Sequence, residues 1–199
     1  MMFTGIIAAM GRVGAIDVTK TGRRLRIQDP AIFADMQEGD SVAINGVCLT
    51  AVEVAPGEIA VDVVQESLNR SNLGELTEGN LVDLERPMPA SGRFDGHIVQ
   101  GHVDGVGSIA SIDAEGEAQR VRIALDDTLA RYVVEKGSIT VDGVSLTVTA
   151  VGSEPSPWFE IVLIPHTLEV TVLGRRRVGD HVNLEMDVLA KYVERLMSK

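Results

Sequence analysis

Ser41-Val42-Ala43-Ile44-Asn45-Gly46-Val47-Cys48-Leu49-Thr50 occurs a second time in this chain, as Ser138-Ile139-Thr140-Val141-Asp142-Gly143-Val144-Ser145-Leu146-Thr147, at an offset of 97 (138 − 41). A second block recurs at an offset of 100: Leu68, Leu73, Gly74, Gly79, Val82, Leu84 and Glu85 return as Leu168, Leu173, Gly174, Gly179, Val182, Leu184 and Glu185. Gly5, Gly11 and Ile16 align with Gly101, Gly107 and Ile112 in a third block. Three blocks in one order, repeating over half the chain, mean two tandem related domains rather than a solenoid. In each copy, Asn-Gly or Asp-Gly between β-formers predicts a type I′ hairpin, because both central residues must take positive φ. Alternation past the turn puts Cys48 and Thr50 on one strand face, and Ser145 and Thr147 on the equivalent one. Paired small polar groups suit a face that looks onto a ligand.

The rest of the chain reads as mostly β, with short Val/Ile/Leu runs between Gly, Asp, Asn and Pro. Helical turns are expected over 67–73 and 167–173, ended by Gly74 and Gly174, with another over 127–134. Pro87-Met88-Pro89-Ala90-Ser91-Gly92 is the linker candidate. The division predicted is 1–90, 91–186 and a tail over 187–199. The tail has no counterpart in the first repeat. Leu189, Tyr192, Val193 and Leu196 trace one helical face there, with Asp187 as N-cap. That face is expected to join chains.

The 199 residues carry 29 Asp and Glu against 18 Lys and Arg, a net charge of −11, which argues against nucleic acid as a partner. The basic run Arg175-Arg176-Arg177 reads as a solvated turn. No apolar run reaches the length of a membrane span, and no secretory signal is expected. Cys48 is the single cysteine, and the four histidines show no zinc spacing with it. No metal is expected, and a reducing cytoplasm fits.

Five strings in register carry a resemblance over essentially the whole length. They are Met2-Phe3-Thr4-Gly5-Ile6-Ile7, Asn45-Gly46-Val47-Cys48-Leu49-Thr50, Gly96-His97-Ile98-Val99-Gln100-Gly101-His102-Val103-Asp104-Gly105, Asp142-Gly143-Val144-Ser145-Leu146-Thr147-Val148 and Leu163-Ile164-Pro165-His166-Thr167-Leu168. With the duplication, the chain resembles the riboflavin synthases. The resemblance implies an all-β fold of two tandem, similar antiparallel Greek-key β-barrels plus a C-terminal amphipathic α-helix that builds a homotrimer. It implies a four-carbon exchange, with no metal and no redox cofactor, between two molecules of 6,7-dimethyl-8-ribityllumazine, one held by each barrel, across a subunit boundary. Association with lumazine synthase is a further partner it admits. The same fold serves non-catalytic lumazine proteins, whose second repeat looks degraded; here both hairpins and both Leu-Thr pairs are intact.

The resemblance also assigns residues. Those expected in catalysis are His102 as proton shuttle, His97 beside it, Ser145, Cys48 and Thr147 at the reacting ring, and Asp142 and Asp187 as further acids. Binding by the first barrel is expected from Gly5, Ile6, Ile7, Cys48, Leu49, Thr50 and Asp62-Val63-Val64-Gln65-Glu66-Ser67. Binding by the second is expected from Gly101, His102, Val103, Lys136, Ser145, Leu146, Thr147 and Val162-Leu163-Ile164-Pro165-His166-Thr167. Relatives usually begin Met-Phe-Thr-Gly, whereas this chain begins Met1-Met2-Phe3-Thr4-Gly5, so Met1 is either extra or removed.

Overall fold

A computed structural model describes residues 2–29 and 31–197; Met1, Pro30 and the last two residues of the tail lie outside it. The first repeat gives β1 (Ala9–Val18), β2 (Gly22–Gln28), β3 (Ser41–Ile44), β4 (Val47–Ala55), β5 (Glu58–Val64) and β6 (Leu81–Glu85). They close into a barrel in the order β1-β2-β5-β4-β3-β6. The second gives β7 (Gly105–Glu115), β8 (Ala118–Ala124), β9 (Ser138–Val141), β10 (Val144–Gly152), β11 (Trp158–Leu163) and β12 (His181–Met186). They close as β10-β11-β8-β7-β12-β9, the same cyclic order. All pairings are antiparallel, and closure leaves no sheet edge exposed.

Each interior is a packed core. Val13, Leu25, Ile27, Val42, Ile59, Val61 and Leu84 fill the first barrel, and Ile109, Ile123, Ile139, Phe159, Ile161 and Leu184 the second. Inward Leu49 and Val148 therefore send Cys48, Thr50, Ser145 and Thr147 to the outside of the barrels. Any ligand facing these residues lies against a barrel wall, not in its lumen.

The hairpins form as expected, with Asn45 and Gly46 at φ 45° and 76° and Asp142 and Gly143 at 47° and 87°. The two turns then abut. A Cβ on Gly46 would sit 2.7 Å from the Gly143 amide nitrogen, and one on Gly143 would sit 2.7 Å from that of Gly46. Around this contact runs a seam with near-twofold symmetry. Asn45 Oδ1 accepts the Asp83 N–H at 2.8 Å, and Asp142 Oδ1 accepts the Asn183 N–H at 2.8 Å. Asp83 Oδ1 accepts Val172 N–H at 2.9 Å, and Asn183 Oδ1 accepts Asn72 N–H at 2.6 Å.

The helices differ from expectation in detail. α1 (Gln65–Arg70) and α3 (Pro165–Val170) stop at Ser71 and Thr171, which are extended (φ −138° and −128°), and each is followed by a single 3-10 turn. Gly74 and Gly174 thus lie inside the 3-10 turns, not past a helix end. The Ser71 and Thr171 hydroxyls satisfy the Ser67 and Thr167 carbonyls, so no glycine cap is needed. The turn at α2 (Asp127–Ala130) is shorter than expected. α4 (Val188–Met197) follows the predicted tail helix, and Asp187 caps it by accepting Leu189 N–H at 2.9 Å.

Candidate active site: two walls with exchanged straps

Residues 2–8 and 97–104 are straps that precede β1 and β7 and lie against each other across the seam. Phe3 N–H donates to the Val99 carbonyl at 2.8 Å, and Val99 N–H to the Phe3 carbonyl at 3.2 Å. Fully buried Phe3 packs with Val99, Ala43 and Cys48 beneath this crossing. Each strap then serves the other half. The Gly5 carbonyl accepts the Ser145 N–H at 2.7 Å, and the Gly101 carbonyl accepts the Cys48 N–H at 2.8 Å. Ile7 packs on the second core and Val103 on the first.

The sequence-based grouping is therefore corrected. Gly5, Ile6 and Ile7 belong with Ser145 in the second half, and Gly101, His102 and Val103 with Cys48 in the first. The repeat aligned each strap with the strand that follows it, which says nothing of where the strap itself docks.

Two buried glutamates hold the straps, and the sequence reading did not single them out. Glu85 accepts Thr4 N–H (2.7 Å), Thr4 Oγ1–H (2.8 Å) and Gly5 N–H (3.0 Å). Glu185 accepts Gln100 N–H (2.7 Å) and His102 N–H (2.8 Å). Burial pushes both carboxyls up, and the backbone donors oppose that shift. The available signal was an acid repeated at the same place next to a core leucine.

The first cleft, of about 390 Å³, is lined by Cys48, Glu66, Ser67, Arg70, His102 and Val103 among others. His102 is exposed at its rim. Burial pushes the Cys48 thiol up, which keeps it protonated at neutral pH. The second half differs at the same register. Ser145 pairs with Thr140 across β9 and β10, where Cys48 pairs with Ala43 across β3 and β4. His97 joins them: its Nδ1 lies 2.7 Å from Ser145 Oγ and its Nε2 3.3 Å from Thr140 Oγ1. Burial lowers the His97 pKa, and Asp187 partly offsets this. A neutral imidazole with its proton on Nε2, donating to Thr140, leaves Nδ1 to accept the Ser145 O–H. In that tautomer the second half carries a proton acceptor, and the first a protonated thiol.

The remaining expected residues divide. Thr50, Thr147, Ile164 and His166 are exposed, and Leu146, Val162 and Thr167 half-buried, near these walls. Leu49, Val63 and Leu163 turn into the cores and can offer a ligand only backbone. Asp62 faces outward with Val64 and is held by Arg24 at 2.7 and 2.9 Å, which draws its carboxyl down. Gln65 bonds Asn69 at 2.8 Å. Pro165 opens α3. Lys136 has φ 66°, where the first repeat has Gly39 at 93°. A lysine in that strained region is worth noting as a functional candidate.

Asp142 is placed in the seam, away from both walls. It is fully buried and accepts from Arg176 Nε (3.1 Å) and Nη2 (2.6 Å), Asn183 N–H and Asn72 Nδ2 (2.8 Å). Burial pushes its carboxyl up, and Arg176, the Asn183 N–H and Asn72 oppose that shift. Arg176 is accordingly not a solvated turn residue. Its neighbours Arg175 and Arg177 are exposed, while it turns inward onto Asp142. No group of three or more His, Cys, Asp or Glu able to hold a metal occurs among the described residues.

The model of the lumazine binding domain matches the chain twice, at residues 4–87 and 100–187. The riboflavin synthase of Mycobacterium tuberculosis is 54% identical over 197 residues, covering 98% of each chain. That of Actinobacillus pleuropneumoniae is 43% identical, covering 100% of this chain and 91% of the relative. Among solved structures, LumP complexed with riboflavin superposes with a TM-score of 0.85 at 26% identity, covering 93% of this chain and 99% of LumP. LumP complexed with 6,7-dimethyl-8-(1'-D-ribityl) lumazine gives 0.83 at 25%, with the same coverage. A duplicated lumazine binding domain, with full-length identity to enzymes and lower identity to LumP, places the chain in the riboflavin synthase family.

Proposed function

We propose that this chain catalyses the dismutation of two molecules of 6,7-dimethyl-8-ribityllumazine to riboflavin and 5-amino-6-ribitylaminouracil, one molecule held by each half. The observation that carries this reading is the matched pair of outward walls, one with Ser145, His97 and Thr140 and the other with Cys48 and Ala43. Two like substrates need two like clefts, and unlike fates need one chemical difference between them. Holding two rings in attacking geometry is worth on the order of 7–11 kcal/mol. The acidic 7-methyl group of the bound lumazine then needs a proton acceptor, the part assigned to the Ser145–His97 pair, with His102 shuttling protons at the other ring.

The test is anaerobic incubation with 6,7-dimethyl-8-ribityllumazine, following the product spectrum; two substrates should vanish per riboflavin formed. Ser145→Ala and His102→Gln should each lower kcat by about 10²-fold, the lower end of general acid–base contributions, with a smaller change in KM. Full turnover in both variants would refute this assignment of roles. Bound ligand without turnover would instead favour a binding protein of the LumP kind.

The site is proposed to form between subunits of a homotrimer in the cytoplasm. α4 supports this in an unusual way. Its polar residues tie it to its own chain, Lys191 to Asp104 at 2.6 Å and Glu194 to Arg131 at 2.9 Å. Its apolar residues, Leu189, Tyr192, Val193 and Leu196, are all more than half exposed. An apolar stripe left in water is an interface waiting for a partner. Leu189→Asp combined with Leu196→Glu should give monomers by sedimentation, with turnover lost and fold retained by circular dichroism.

A further inference from the structure

The seam contains one polar atom with no partner. Asp83 Oδ2 is the single buried, unsatisfied side-chain oxygen or nitrogen among the described residues. Asp83 is 1% exposed. Its counterpart across the pseudo-twofold, Asn183, explains what the position requires. Asn183 uses Oδ1 to accept an amide N–H from the opposite half, and Nδ2 to donate to the Asn45 carbonyl at 2.8 Å. Asp83 repeats the first contact, Oδ1 to Val172 N–H at 2.9 Å. The pseudo-twofold relates Asn183 to Asp83 and Asn45 to Asp142, so the counterpart of the Asn183 Nδ2–Asn45 carbonyl bond is a pairing of the buried Asp83 Oδ2 with the Asp142 carbonyl. A carboxylate oxygen there would set lone pair against lone pair; a hydroxyl would restore the bond.

We propose that Asp83 is carried as a neutral carboxylic acid whose Oδ2–H donates to the Asp142 carbonyl, making the seam a pH-sensitive lock between the two halves. The charged surroundings agree. The Asp142 carboxylate lies on the turn between β9 and β10, and Arg176, which pairs with it, offsets it only in part. Asn45, Asn72 and Asn183, packed around them, are neutral, and the His181–Glu75 pair and Asp180 lie beyond these on the rim. Burial is the larger influence and acts in the same direction as Asp142, pushing the Asp83 carboxyl well up. The linkage has a definite sign. The unfolded chain releases this proton near pH 3.9 and the folded chain holds it to higher pH. The contribution to stability is therefore full below about pH 4, and it is lost as pH rises toward the folded-state pKa. When the proton leaves to solvent, the charged pair of carboxylates loosens the seam, and both straps, which cross it, are released with it.

Asp83→Asn replaces the acid with its own pseudo-symmetric partner. In urea unfolding between pH 5 and 9, the wild-type unfolding constant should rise relative to Asp83→Asn by about tenfold per pH unit until the acid ionises. Hydrogen exchange at Thr4, Gly5, Gln100 and His102 should be equal in the two proteins at pH 5 and faster in the wild type at pH 9. A second measurement does not depend on the variant folding: carboxyl ¹³C NMR of the wild type should show one aspartate still protonated at pH 7. A stability difference independent of pH, or full ionisation of every aspartate at pH 7, overturns the proposal.

Discussion

Phe3→Ala should both destabilise the protein and slow turnover by about 10²-fold. Truncating a fully buried phenylalanine leaves a cavity costing about 3–5 kcal/mol. The position makes the loss functional as well. Phe3 fills the crossing of the two straps, under Cys48 and Ala43 on one side and Val99 on the other. Without it, the crossing that sets Thr4 and Gly5 beside Ser145, and Gln100 to His102 beside Cys48, loses its packing and is left to hydrogen bonds, those of Glu85 and Glu185 among them. A displacement of about 1 Å in either reacting partner can cost on the order of 10²-fold in rate. Urea unfolding and steady-state turnover check the two effects separately. Phe3→Leu should recover much of the stability and part of the rate. A variant that keeps wild-type kcat would show that the straps do not set the reacting geometry.

Arg176→Met is expected to be the most destabilising change outside the cores. It leaves the fully buried Asp142 carboxyl without its cation, and breaking such a buried pair typically costs about 3–5 kcal/mol. The burden falls on the contact between the halves, because Asp142 also holds Asn183 and Asn72. The double variant Arg176→Met, Asp142→Asn should regain most of the loss, since the orphaned charge is then gone. A midpoint shift for the single variant no larger than for Arg175→Met would refute the assignment. At Arg175 the side chain is exposed, and the expected change is within about 0.5 kcal/mol.

Why was so much of the fold visible beforehand? The repeat forced two domains, and Asn45-Gly46 and Asp142-Gly143 fixed the hairpins through a backbone requirement that few residues meet. The tail helix followed from its 3.6-residue stripe. What stayed hidden was anything decided between distant segments. The placement of Gly5 against Ser145, and of Gly101 against Cys48, depends on crossings that no local pattern encodes. Arg176 looks like its neighbours in sequence and differs only because the 3-10 turn points it inward. Residue type and motif do not separate His97 from His102. Its hydrogen bonds to Ser145 and Thr140 arise because the second strap lies over β9 and β10 of its own barrel before it crosses to Cys48.

The exchanged straps also bear on how the chain comes apart. Neither barrel can melt alone without dragging away a wall of the other's cleft, and the Glu85 and Glu185 anchors go with it. Thermal denaturation is expected to register a single cooperative step rather than two independent ones. Damage anywhere in one lobe is thereby shared by the whole, and no half-folded form keeps one working compartment.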